Sequence, residues 1–128
     1  MKSTLVRQDS DRLADIVVRG MQEKKAVDIV VLNLKELKNA VADYFVICSA
    51  SSDTQIDAIA RSVEEEVEKL TGQSPWQTEG RMHREWVLLD YVDVVVHIFL
   101  RDRRQFYALE ELWGDAEINY ITEETAVV

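Results

Sequence analysis

The stretch from Glu85 to Leu100, EWVLLDYVDVVVHIFL, limits what this chain can fold into more than any other. Two apolar runs, Trp86 to Leu89 and Val94 to Leu100, flank a short turn made of Asp90, Tyr91, Val92 and Asp93. Runs rich in Val, Ile and Phe, too short for separate helices and split by acids, predict a hairpin of two antiparallel strands. Their apolar residues are nearly continuous rather than alternating. At least the second strand is therefore expected inside a sheet, covered on both faces.

The remaining segments arrange themselves around that hairpin. Residues 1–8 read as a lead-in, and Asp9 or Ser10 can cap a first helix with Leu13, Ile16, Val17, Gly20 and Met21 on one face. Val27 to Leu34 and Asp43 to Ser49 are β-branched, apolar runs that predict two strands, with one helical turn expected over Leu34 to Asn39. Ser52 and Gln55 have capping-box spacing ahead of the stripe Ile56, Ile59, Ala60, Val63, Val67 and Leu70, so a central helix should run from there to Gly72. Its outer residues Asp57, Arg61, Glu64, Glu65 and Glu68 read as a solvated face. Pro75 suits an edge strand within SPWQTEG, Gly80 turns the chain, and RMHR (Arg81 to Arg84) forms a basic loop before the hairpin. Arg101 to Arg104 leads into a last helix carrying Phe106, Leu109, Glu110 and Trp113, ended by Gly114. The fold class is α/β, a mixed sheet of about five strands flanked by helices. Residues 1–114 form one domain, and 115–128 an acidic, loosely held C-terminal tail.

Charge and cysteine content restrict the function. With 15 Lys and Arg against 24 Asp and Glu, the formal charge of −9 disfavours direct nucleic-acid recognition and favours a basic partner. The single cysteine, Cys48, lies among Phe45, Val46 and Ile47 and reads as a buried thiol, which fits a reducing cytoplasm. Neither a signal-peptide core nor an apolar run of membrane-spanning length occurs, so a soluble cytoplasmic protein without a membrane partner is expected.

No active site is legible. The glycines Gly20, Gly72, Gly80 and Gly114 are isolated, so no phosphate-cradling loop can form. His97 with Asp90 and Asp93 could supply metal ligands on paper, but Asp93 and His97 on one strand lie about 13 Å apart. His97 is better read as a buried strand histidine bonded to a carboxylate or backbone group. Two-metal phosphoryl chemistry lacks its glycine-serine turn and acid-x-acid pair, no strained elbow presents a serine, and Cys48 has no activating cation nearby. Catalytic residues, metal and cofactor are all expected to be none. Aromatic and acidic residues around the hairpin remain conspicuous: Trp76, Trp86, Tyr91, Phe106, Tyr107 and Trp113 with Glu79, Asp90 and Asp93. Such a combination suits docking on a basic partner. Phe106 and Trp113 read as core, whereas Trp86 and Tyr91 are expected to be exposed.

In order along the chain, DYFVICSASS, the pair Glu79 and Gly80, WVLLDYVDVVVHIF and RQFYALEELWGDA resemble the Iojap family, the ribosomal silencing factors. The resemblance covers nearly the whole chain up to Asp115. It implies a nucleotidyltransferase-like fold without catalytic acids. It also implies a homodimer off the ribosome that binds the large ribosomal subunit through ribosomal protein L14 at the intersubunit face. Occupancy there blocks subunit joining and represses translation under nutrient limitation. Carried over by position, Trp86 is the partner-contacting tryptophan, Asp90, Tyr91 and Asp93 are the turn beside it, and Glu79 and Gly80 are the preceding loop. The family has glycine where this chain has Val92, so that turn is expected to differ locally, a β-branched residue being ill suited to positive φ. The family's basic residue near the start of the central helix is replaced as well, since Thr54, Gln55 and Asp57 stand there. Two other readings compete: a nucleotidyltransferase-type nucleotide-binding enzyme, and a dimeric scaffold whose hairpin edge pairs with itself.

Overall fold

A computed structural model describes residues 2–103 and 114–122, with the side chains of the first helix described from Ser10 onward. Helix α1 spans Lys2–Glu23 and helix α2 Asp53–Thr71; strands β1 (Val27–Asn33), β2 (Tyr44–Ala50), β3 (Gln77–Glu79), β4 (Trp86–Asp90), β5 (Val94–Leu100) and β6 (Glu117–Tyr120) form one sheet. Its order is β3-β4-β5-β2-β1-β6. β2 and β5 pair in parallel at the centre, and every other pairing is antiparallel. The expected mixed α/β sheet is thus present, with six strands instead of about five. The extra one, Glu117–Tyr120, comes from the segment read as a loose tail. Four alternating residues gave it no visible period, and its backbone pairs with β1 from Val30↔Tyr120 to Asn33↔Glu117.

Both described α-helices cover the same face of the sheet. Leu13, Ile16, Val17 and Met21 of α1 and Ile56, Ile59, Val63 and Val67 of α2 pack on Val46, Cys48, Val87, Leu89, Val94, Val96 and Ile98. Cys48 is a buried thiol, as its neighbours predicted. The opposite face collects Val30, Leu32, Phe45, Ile47, Val95 and Phe99. β5 is therefore apolar on both faces, which is why its sequence does not alternate.

α2 has the ends its sequence announces. Ser52 Oγ accepts from the Gln55 N–H at 3.1 Å, and Gly72 closes the helix at φ 76 with its N–H on the Glu68 carbonyl. The reciprocal arm of the capping box reaches one residue further back, to the Ser51 N–H at 2.7 Å. Gln55 Nε2 also donates to the Lys24 and Lys25 carbonyls, which fastens the start of α2 to the end of α1. α1 begins earlier than expected: Asp9 and Ser10 lie within the helix rather than at its cap, since neither glycine nor proline interrupts residues 2–19. Leu34 to Asn39 forms successive turns, with Leu37 N–H on Leu34 O and Ala40 N–H on Leu37 O, rather than a helical turn. The expected helix around Phe106, Tyr107, Leu109, Glu110 and Trp113 lies outside the described residues.

The hairpin turn corrects the expectation for Val92. Its φ is +75, and the Asp93 N–H donates to the Tyr91 carbonyl at 2.9 Å, closing a three-residue turn about Val92. Such turns are rare because Cβ crowds the backbone. Val92 takes the positive φ and carries the strain. Two bonds hold it there: Asp90 Oδ1 accepts from the Val92 N–H at 2.7 Å, and Tyr91 N–H donates to Val94 O at 2.9 Å. Val92 is exposed, so replacing it by glycine removes little packing. Strain relief of ~1–2 kcal/mol against a glycine entropy cost of ~0.5–1 kcal/mol leaves a net gain. Val92→Gly is expected to raise Tm by about 4 °C in a thermal melt. An unchanged or lower Tm would show that the turn stores no strain.

Candidate docking face

Alternation along β4 sorts the hairpin residues. Val87 and Leu89 enter the helix-covered core, whereas Trp86, Leu88 and Asp90 point to the opposite face. The edge strand β3, predicted from Pro75, brings Glu79 opposite Leu88 and Gln77 opposite Asp90. Directly paired residues share a face. Glu79, Trp86, Leu88 and Asp90 thus form one patch, with same-face neighbours on a strand about 7 Å apart. Leu88 sits at its middle and is half-buried. Sequence reasoning passed over it, because the period-2 pattern Trp86, Leu88, Asp90 is hidden inside a run that also carries Val87 and Leu89.

Trp86 is not a free anchor. Its ring stacks on Phe99 at 5.2 Å between centroids and on His97 at 5.8 Å, and its Nε1–H donates to His97 Nδ1 at 3.0 Å. The tryptophan expected to stand exposed is half-buried, fixed on one side by the strand next to it. His97 is buried as expected, but its partner is an indole rather than a carboxylate or backbone group. Since Nδ1 accepts, the neutral ring carries its proton on Nε2, which has no hydrogen-bond partner among the described residues.

Glu79 is exposed and accepts from Gln77 Nε2 at 3.0 Å. Gly80 adopts φ +84, and a Cβ built there would lie 1.9 Å from the Trp86 carbonyl oxygen. Only glycine lets the loop pass so close to β4. Asp90 does double duty, since its backbone carbonyl also accepts from the Trp76 N–H at 2.7 Å.

Two of the expected contact residues fall outside the patch. Tyr91 is 4% exposed and belongs to the helix-side core, which overturns its expected exposure: one residue past Asp90, alternation turns it inward. Burial, then the Glu64 carboxylate, pushes its phenol pKa up. Asp93 lies beyond the turn, where its carbonyl accepts from the Asp43 and Tyr44 N–H groups. Burial and then the charge of Asp43 raise its carboxyl pKa.

The basic loop is likewise tied inward. Arg84 reaches Asp57 at 2.8 Å and Asp53 at 3.5 Å, and Arg81 pairs with Glu64. Part of the α2 face read as merely solvated therefore holds this loop, while Arg61, Glu65 and Glu68 stay exposed as predicted. Side-chain charge at two loop positions meets complementary charge on α2, a tertiary match that helical periodicity does not encode. Among the described residues no group of three His, Cys, Asp or Glu side chains is placed to hold a metal ion.

Burial pushes the His97 pKa down to about 3, from the 6.5 of an unhindered histidine. Between these values the unfolded chain binds the extra proton. Stability present above pH 6.5 is therefore lost as pH falls towards 3. By pH 5 the loss is about 2 kcal/mol. Urea melts at pH 7 and pH 5 should show it, and His97→Phe should remove most of that slope; equal slopes in both proteins would assign the acid sensitivity elsewhere.

Comparison with known proteins supplies the context for this face. The sequence model described as "Ribosomal silencing factor during starvation" matches residues 7–127. Ribosomal silencing factor RsfS of Bacillus subtilis is 42% identical over 103 residues, spanning 80% of this chain and 86% of the relative. The mouse protein named mitochondrial assembly of ribosomal large subunit protein 1 is 29% identical over 117 residues, spanning 87% of this chain and 51% of the relative. A crystal structure of a Chromobacterium violaceum protein is similar with a TM-score of 0.73 at 29% identity, covering 90% of this chain and 92% of that one.

Proposed function

The chain belongs to the ribosomal silencing factor family, and from that premise we propose that it docks on the large ribosomal subunit through ribosomal protein L14. Bound at the intersubunit face, it keeps the small subunit from joining by occupying space, and so represses translation when nutrients are scarce. It acts in the cytoplasm, without catalysis, and forms a homodimer when off the ribosome. The large-subunit assignment draws support from the name of the mouse relative.

The observation that carries this reading is the patch of Glu79, Trp86, Leu88 and Asp90 on the sheet face away from α1 and α2. It places two half-buried apolar side chains between two carboxylates, an arrangement that suits a basic protein surface. A net charge of −9 adds general attraction to such a protein and discourages adhesion to ribosomal RNA. No helix among the described residues is long and apolar enough to cross a membrane.

Sedimentation of the purified protein with large subunits, small subunits and joined ribosomes tests the proposal. Co-sedimentation with large subunits alone, together with a fall in joined particles when small subunits are added, is the expected result. Equal binding to both subunits, or binding without any effect on joining, would defeat it.

A further inference from the structure

We propose that His97 is the positioning residue of the docking face: by accepting the indole N–H of Trp86 from below, it fixes the ring and determines that the partner meets carbon surface rather than a hydrogen-bond donor. This rests on the docking reading above and deepens it.

Three observations meet at this pair. First, His97 lies on β5 directly opposite Leu88, at the centre of the face. Its ring is packed between Phe45 at 4.7 Å and Phe99 at 6.3 Å, so it has little room to turn. Second, Trp86 Nε1 lies 3.0 Å from Nδ1, and this bond joins residues on neighbouring strands whose backbones are already in register. An indole has one donor, and this bond uses it. Third, the arrangement has a cost. His97 is 3% exposed, and its remaining nitrogen has no hydrogen-bond partner among the described residues. An apolar ring would fill the same space without that penalty. Core packing therefore accounts for the volume of His97 but not for its polarity, whereas holding an indole that is itself half-exposed accounts for both.

The chemical consequence concerns selectivity. With its N–H turned inward, Trp86 offers the surface of its ring carbons beside Leu88, and the carboxylates of Glu79 and Asp90 stand around that apolar centre. A partner side chain that needs a hydrogen bond from the indole gains nothing here. One with an apolar stem and a cationic end fits both parts.

The experiment uses the whole 128-residue chain labelled with nitrogen-15 and four substitutions, His97→Asn, His97→Phe, Trp86→Phe and Trp86→Ala. Asparagine keeps an acceptor near the position of Nδ1; phenylalanine keeps the ring and removes it. Trp86→Phe assigns the Trp86 indole signal by its disappearance. That signal is expected to exchange slowly with solvent in the parent protein and in His97→Asn, and to exchange at least tenfold faster in His97→Phe. Large-subunit binding should follow it, weakened about tenfold in His97→Phe and within about threefold of the parent in His97→Asn. Normal binding by a folded His97→Phe, alongside lost binding by Trp86→Ala, would overturn the proposal. So would an unchanged indole signal. If Trp86→Ala binds normally, the docking reading fails by itself, and the indole signal still decides whether His97 holds the ring. Should His97→Phe not fold, the imidazole nitrogen shifts of the parent protein decide instead, because a proton on Nδ1 is incompatible with the proposed bond.

Discussion

Gly80→Ala should lower the stability of this protein by about 3 kcal/mol or more, seen as a Tm roughly 10 °C lower. Two penalties add at this position. Alanine at φ +84 is strained, and its Cβ would lie 1.9 Å from the carbonyl oxygen and 3.0 Å from the carbonyl carbon of Trp86. Neither atom can yield, since both belong to the backbone of a strand paired on both sides. The loop cannot swing out freely either, because the Gly80 carbonyl accepts from the Arg84 N–H at 2.9 Å and Arg81 and Arg84 are held by α2. Gly72 provides the control. Its φ is +76, but nothing lies within 4 Å of a Cβ placed there. Gly72→Ala should therefore cost only about 1 kcal/mol, the conformational part alone. Similar losses in the two variants would mean that the loop at Gly80 adapts and the contact is soft.

Trp86→Ala is expected to weaken large-subunit binding at least 30-fold, the equivalent of about 2 kcal/mol for a central aromatic anchor. It should also cost about 3 kcal/mol in stability, because the variant loses the stack on Phe99 and leaves His97 Nδ1 buried without its donor. The two effects are separable. Trp86→Phe retains a ring over Phe99 and should recover most of the stability, while binding stays reduced. Affinity measured by sedimentation at several protein concentrations, with the folded fraction fixed by circular dichroism, gives both numbers. A stable Trp86→Phe with parental affinity would move the anchor to Leu88 or to the acids around it.

Much of this was legible in the sequence, for reasons that differ by element. α2 carried its own boundaries in Ser52, Gln55 and Gly72, each acting through a local hydrogen bond or a local φ. β5 could be read as interior because seven apolar or aromatic residues without alternation require cover on both faces. β6 could not, since Glu117–Tyr120 is specified by pairing with a strand some ninety positions earlier rather than by its own pattern. Within the candidate face, Glu79, Trp86 and Asp90 were found and Leu88 was not. Tyr91 was assigned to the wrong side because a turn residue was equated with an exposed one, although alternation from Asp90 points it inward. Val92 was misjudged in a different way. Strain was treated as forbidding a conformation, whereas the bonds from Asp90 and Tyr91 outweigh about 1–2 kcal/mol of it.

The parallel pairing at the centre of the sheet has a consequence for the timing of synthesis. β2 ends at Ala50 and its partner β5 ends at Leu100, so this pairing must wait until α2, β3 and β4 have all been made. Contacts of such long sequence separation form late and slowly. Trp86 and Leu88 acquire their positions only when β5 is in place beneath them, which means that a nascent chain carries no formed candidate face until Leu100 has left the ribosome. The candidate face is thus a late product of folding rather than an early one.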